Sequence, residues 1–130
     1  MKRRACLKAL GAAAFIPAAR AVEPAHPIQI HLDMSVDPAR EKEMLQHFEK
    51  DFKPAAAKFQ GYIDVKIDKL RSAVQGKAPT GINYRFVLTY QSEELRQKWI
   101  ASDIHQKVWG QIEDTMRNKK DYAVLLFDVA

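Results

Sequence analysis

Phe86-Val87-Leu88-Thr89-Tyr90-Gln91-Ser92-Glu93-Glu94-Leu95 reads as the end of a strand, a short turn and the start of a helix. Aromatic and β-branched residues suit a pleated, half-buried surface, and the full strand is predicted over Ile82–Gln91. Tyr84, Phe86, Leu88 and Tyr90 then share one face, with Asn83, Arg85, Val87 and Thr89 on the other. Ser92 is a helix-capping residue, and Glu93 and Glu94 put acids in the first turn, where the helix dipole favours them.

Working outward, Ser72–Gly81 has two glycines and a proline and little apolar content, so it connects a hairpin. The earlier strand is Tyr62–Leu70, with Ile63, Val65 and Ile67 on one face. Before Gln60-Gly61, the residues Leu45, Phe48, Phe52, Ala56 and Phe59 recur at spacings of 3 or 4 and form one helical stripe. Pro54 interrupts that pattern and is expected to kink or divide the helix near Lys53. Asp37-Pro38 starts the helix, and Ile28, Ile30, Leu32 and Met34 alternate with Gln29, His31 and Asp33 in a first strand. Downstream, the second helix bends at Ser102, restarts at Asp103 and runs to Asn118-Lys119-Lys120. Tyr122–Val129 is almost wholly apolar, which predicts a central or doubly covered strand.

The order β-α-β-β-α-β predicts an α+β, ferredoxin-like domain over 28–130, a four-stranded antiparallel sheet with helices on one face. Its other face needs cover, and a second copy packed sheet to sheet, a homodimer, is the economical way to provide it.

The whole chain is 130 residues, one domain and a leader. Residues 1–21 hold Lys2, Arg3, Arg4, Lys8 and Arg20 and no acid; 16 basic and 16 acidic residues remain beyond them, so the net charge of +5 belongs to the leader. That removes the main argument for a nucleic-acid partner. Ala9–Ile16 is too short to span a bilayer, and Ala19-Arg20-Ala21 is a small-x-small cleavage site, so 1–21 reads as a cleaved signal peptide. Arg3-Arg4-Ala5-Cys6-Leu7-Lys8 resembles the twin-arginine export signal, which implies a periplasmic or secreted protein. Cys6 is the only cysteine and has no lipobox, so the mature chain has neither lipid anchor, disulfide nor thiol nucleophile. Residues 22–27 are a proline-bearing lead-in.

The stretch Phe86–Leu95, followed by Trp99, Ala101-Ser102-Asp103 and His105, together with the Phe59-Gln60-Gly61-Tyr62 step, resembles the antibiotic biosynthesis monooxygenase family, the dimeric α/β-barrel group. The resemblance covers most of 28–129. It implies a dimeric α/β barrel and cofactor-independent oxidation of polycyclic aromatic phenols, or haem degradation in one branch. That branch carries a strand-one Asn, a helical Trp and a haem-ligating His about ten residues later. Trp99 matches its Trp, but Trp109 stands at the His position and His31 at or beside the Asn position.

Several side chains are candidates for chemistry. Trp99 and Trp109 are core residues or the walls of a pocket for a flat ligand. His105 and Trp109 meet on one helix face as an i, i+4 pair, and a neutral His105 there is a candidate base on a phenol, with Tyr90 offering a hydroxyl. His31 and Arg85 are candidate ligand contacts. For Arg85 the alternative is an ion pair with Asp64 or Asp68. His31-x-Asp33 supplies two metal ligands without a third, so no metal site is expected. No glycine-rich phosphate loop and no Ser-His-Asp spacing occurs. The expected ligand is a small apolar or aromatic molecule, handled without metal or flavin; the alternatives are a non-catalytic exported binding protein and a haem-handling one.

Overall fold

A computed structural model of the chain describes residues 26–130. The expected signal peptide over 1–21 and the first part of the lead-in lie outside the described residues. Four strands form one antiparallel sheet: β1 Ile28–Met34, β2 Tyr62–Lys69, β3 Tyr84–Tyr90 and β4 Val124–Asp128. Their spatial order is β2-β3-β1-β4, the arrangement expected from two βαβ halves wound together. In β1 every even-numbered residue is buried and every odd one half-buried, as period two requires. Ile30 lies opposite Leu88 and Leu32 opposite Phe86, so the apolar faces of β1 and β3 coincide.

The first helical region is divided, as Pro54 requires. A 3-10 turn at Pro38–Arg40 leads into α1, Glu41–His47; a π-helical turn covers Phe48–Phe52; α2 is Lys53–Ala57. Proline has no N–H and its ring crowds the carbonyl four residues back, here Lys50. The backbone answers by widening, and the Lys53 N–H reaches the Phe48 carbonyl, an i to i−5 bond. The wider turn changes which residues face inward. Met44, Phe48, Phe52 and Ala56, each four apart, are all buried, while Leu45, expected to begin the stripe, is exposed. A strict spacing of four drifts around an α-helix but keeps one face where the backbone is wound more loosely.

The second helical region is α3, Glu93–Ile100, and α4, Asp103–Glu113, with the break at Ser102 as expected. Ser92 caps α3 by accepting from the Leu95 N–H at 3.2 Å. Helix α4 stops at Glu113 instead of reaching Lys120. Thr115 turns its hydroxyl back to the Ile112 carbonyl, and Met116 pairs with Val36 beyond the end of β1. Gly61, at φ +95°, is required at its turn: a Cβ there would stand 2.8 Å from the Leu95 Cβ.

The core lies between the helices and the inner faces of β1, β2 and β3. Strand β4 corrects one expectation. It is an edge strand, not central or doubly covered within the chain, and Val124–Phe127 are 42–52% exposed. Among the described residues, no helix is long and apolar enough to cross a membrane.

Candidate active site

A cavity of about 290 Å³ opens between the two helical regions and the inner face of the sheet. Its floor is Leu32 of β1 with Phe86 and Leu88 of β3; its walls are Phe52 from the π turn, Trp99 and Ile100 of α3, and His105 and Trp109 of α4. Arg96, Tyr122 and Val124 complete the rim. The rings pack mostly edge to face: Trp99 lies 4.9 Å from His105 and 5.6 Å from Phe52, and Trp109 lies 5.2 Å from Phe86 in a tilted contact.

Ser102 sets the two helix ends that carry this wall. Its hydroxyl donates to the Trp99 carbonyl at 2.6 Å, closing α3, and accepts from the His105 N–H at 3.2 Å, opening α4. One side chain thereby fixes the backbone of both Trp99 and His105. Trp109 is held from the other side: its indole N–H donates to the Tyr122 hydroxyl at 3.1 Å, which donates to Glu113 at 2.6 Å. Burial, then the Glu113 bond, push the Tyr122 phenol up to about 12, so it stays protonated.

Two ring nitrogens beside the cavity have no hydrogen-bond partner among the described residues, Trp99 Nε1 and His105 Nδ1. His105 is mostly buried, which pushes its imidazole down to about 4, and the Arg96 cation acts in the same direction. His105 is therefore neutral at neutral pH. Arg96 is clamped by Glu93, with Nε donating at 2.6 Å and Nη2 at 2.7 Å.

No protein-family model matches the chain, and no curated protein matches it in sequence. Solved structures do. A dimeric ferredoxin-like protein of unknown function from Jannaschia sp. CCS1 is 13% identical, with a TM-score of 0.67 over 79% of this chain and 99% of that one. A candidate antibiotic biosynthesis monooxygenase from Caulobacter crescentus is 15% identical, with a TM-score of 0.63 over 85% and 96%. A point variant of SnoaB, a cofactor-independent oxygenase from Streptomyces nogalater, is 12% identical, with a TM-score of 0.61 over 81% and 94%. The chain has a ferredoxin-like fold. Identities this low establish the fold and leave the chemistry to the site.

Within this ferredoxin-like frame, Trp99, His105 and Trp109 come together as the sequence indicated. Tyr90, His31 and Arg85 are not brought to the cavity. Tyr90 points inward but beyond the cavity, edge to face with Tyr62 at 6.4 Å, its buried hydroxyl without a partner among the described residues. His31 and Arg85 sit at odd positions of β1 and β3, so strand alternation turns them to the outer face. There His31 meets Gln29 at 2.7 Å and the Phe127 ring at 4.9 Å. Arg85 makes its ion-pair contact with Asp33, directly across one ladder at 2.7 Å, while Asp68, across the other ladder, adds only its field to the same cation and Asp64 lies elsewhere in the register. Among the described residues, no group of three His, Cys, Asp or Glu is placed to hold a metal ion.

Arg96 and Tyr122 were not found from the sequence. Arg96 lies three residues before Trp99, the spacing of helix neighbours, and that was the available signal. Tyr122 gave none, because its position depends on where the chain turns after α4.

Proposed function

We propose that this protein is an exported homodimer that takes a small apolar aromatic molecule into the cavity and oxidises it with dioxygen, without metal or flavin. The observation that carries the reading is the cavity itself: an apolar, ring-lined space near the lower end of the ligand-pocket range, beside a neutral histidine and an unpartnered indole N–H. The ligand fills the cavity as a phenol, and His105 accepts its proton. The electron-rich phenolate then reacts with dioxygen: one oxygen atom enters the ring, the other leaves as water, and the ring gives up four electrons in becoming a quinone. An imidazole whose conjugate acid has a pKa near 4 is a weak base, so it holds the proton only while the phenolate stays beside it as counter-charge.

That weakness also favours the second reading, a non-catalytic binding protein using the same cavity. Aerobic incubation with 2-naphthol and measurement of oxygen uptake separate the two. Turnover that falls ~10²–10⁴-fold in His105→Ala, with affinity retained, supports the oxygenase. Tight binding with no uptake in the wild type leaves the binding protein. A haem-handling role finds no support at the position that branch uses for its ligand, because Trp109 stands there and its N–H is engaged by Tyr122.

Dimerisation is supported by the outer sheet face, where Leu125 and Phe127 are exposed beside His31, and by the dimeric state of the Jannaschia protein. Light scattering at low micromolar concentration tests it, and a clean monomer refutes it. Export by the leader is tested by the amino terminus of protein recovered from the periplasm, expected at Val22.

A further inference from the structure

Among the described residues that line the cavity, Arg96 is the one with a formal charge. Its side chain is 16% exposed, whereas Glu93, its partner, is 32% exposed and also receives the Gln97 amide at 3.0 Å. The acid therefore sits toward solvent and the cation toward the cavity. Glu93 takes the N–H of Nε and one N–H of Nη2, which fixes the guanidinium plane and leaves three N–H donors, two on Nη1 and the second on Nη2. His105, which also lines the cavity, is uncharged, and Glu113 is engaged by the Tyr122 hydroxyl, so among the described residues lining the cavity no acid faces this cation. Among the described residues, the Trp99 N–H is a further unpartnered donor beside the cavity, on a fully buried side chain one helical turn from Arg96. A cation and a buried N–H beside an otherwise apolar space are complementary to a ring system bearing a single acidic oxygen.

We propose that Arg96 is the specificity-determining residue of this cavity, selecting small aromatic ligands that carry one anionic oxygen, a phenolate, enolate or carboxylate, over neutral molecules of the same shape. This rests on the cavity being the ligand site. Glu93 tempers the selection from outside, holding the guanidinium in place while offsetting part of its charge. Arg96 and Glu93 should consequently act in opposite directions on the same preference.

Calorimetric titration of the full mature chain with 2-naphthoate and with the near-isosteric neutral ketone 2-acetylnaphthalene tests this. In the wild type, naphthoate is expected to bind about 10-fold tighter or more, the worth of a charge-assisted hydrogen bond in a shielded site. Arg96→Met should abolish or reverse the preference for naphthoate, because no cation then offsets the desolvation of its carboxylate and the unpaired Glu93 repels it. Glu93→Gln should widen the preference beyond wild type, and because it removes the rim acid and keeps the buried cation, it serves even where Arg96→Met folds poorly. Equal binding of the two ligands by the wild type, or an unchanged preference in both variants, overturns the proposal while leaving the cavity as a ligand site. Binding of the ketone alone overturns the proposal and keeps the cavity as a ligand site; failure of both ligands to bind overturns both.

Discussion

Replacing Ser102 by alanine removes two hydrogen bonds at once, because its hydroxyl is donor to the Trp99 carbonyl at 2.6 Å and acceptor from the His105 N–H at 3.2 Å. Loss of a helix N-cap costs about 1 kcal/mol, and loss of a second, partly buried bond about 1 more, so Ser102→Ala should destabilise the fold by about 2 kcal/mol. The two roles separate chemically. Threonine donates and accepts and should stay close to wild type. Aspartate accepts from the His105 N–H and suits the positive end of α4, but when ionised it has no proton for the Trp99 carbonyl. Ser102→Asp should therefore fall between, about 1 kcal/mol down. Urea denaturation followed by tryptophan fluorescence, at one fixed protein concentration, reads all three, with an unchanged slope expected. Ser102→Ala within about 0.5 kcal/mol of wild type, or aspartate matching serine, would refute the claim that this hydroxyl joins the two helices.

Gly61→Ala forces a side chain into a left-handed backbone at φ +95° and within 2.8 Å of the Leu95 Cβ, so a loss of about 2–4 kcal/mol is expected in the same assay; a neutral effect would show that this turn and α3 are not in contact. Because His105 titrates near 4 in the fold and near 6.5 unfolded, the unfolded chain takes up a proton first as pH falls through that window. Stability should drop across it, on the order of 2 kcal/mol or less given some solvent at the ring, and His105→Phe should lose that part of the slope; identical slopes would count against the burial. If His105 is the base, the acid limb of turnover should lie near pH 4 and not near 6.5 in the free enzyme, and a limb near 6.5 would place the base elsewhere. Tyr122→Phe strands the Trp109 N–H and frees Glu113, so about 1–2 kcal/mol is expected to be lost, and Trp109→Phe in that background should cost less than in the wild type; additive losses would deny the Trp109–Tyr122 bond.

What could be read from the sequence was local. Alternation in Ile28–Met34 and Tyr84–Tyr90, the helix start at Ser92 and the bend at Ser102 with its restart at Asp103 depend on neighbours a few residues away, and those readings agree with the structure. The periodicity points to Leu45 as the inward residue at the start of the first helix, whereas Met44 is the buried one, because a 3.6-residue period does not anticipate the π turn that brings Met44 into line. The apolar run Val124–Phe127 implied burial on both faces; it lies at an edge, since the sequence of one chain does not say whether cover comes from the same chain or another. His31 and Arg85 had the right chemistry for a ligand and the wrong parity, odd positions in strands whose even positions face the cavity. Arg96 is not legible as a site residue because an Arg three residues after a Glu reads as a surface ion pair, and only the packing of α3 against the sheet shows its cavity side.

The two indole N–H groups offer the most direct test of the central claim, that the cavity between helices and sheet is the ligand site. They are chemically distinct: Trp109 donates to Tyr122, while Trp99 is buried without a partner among the described residues. In a ¹H–¹⁵N correlation spectrum of the isotope-labelled mature chain, saturation with 2-naphthol should shift both indole resonances. The Trp99 signal should move further, and the amides of Gln29, His31 and Arg85 on the outer face should stay in place. Indole resonances that do not move, with shifts gathered on the outer sheet face, would contradict the account.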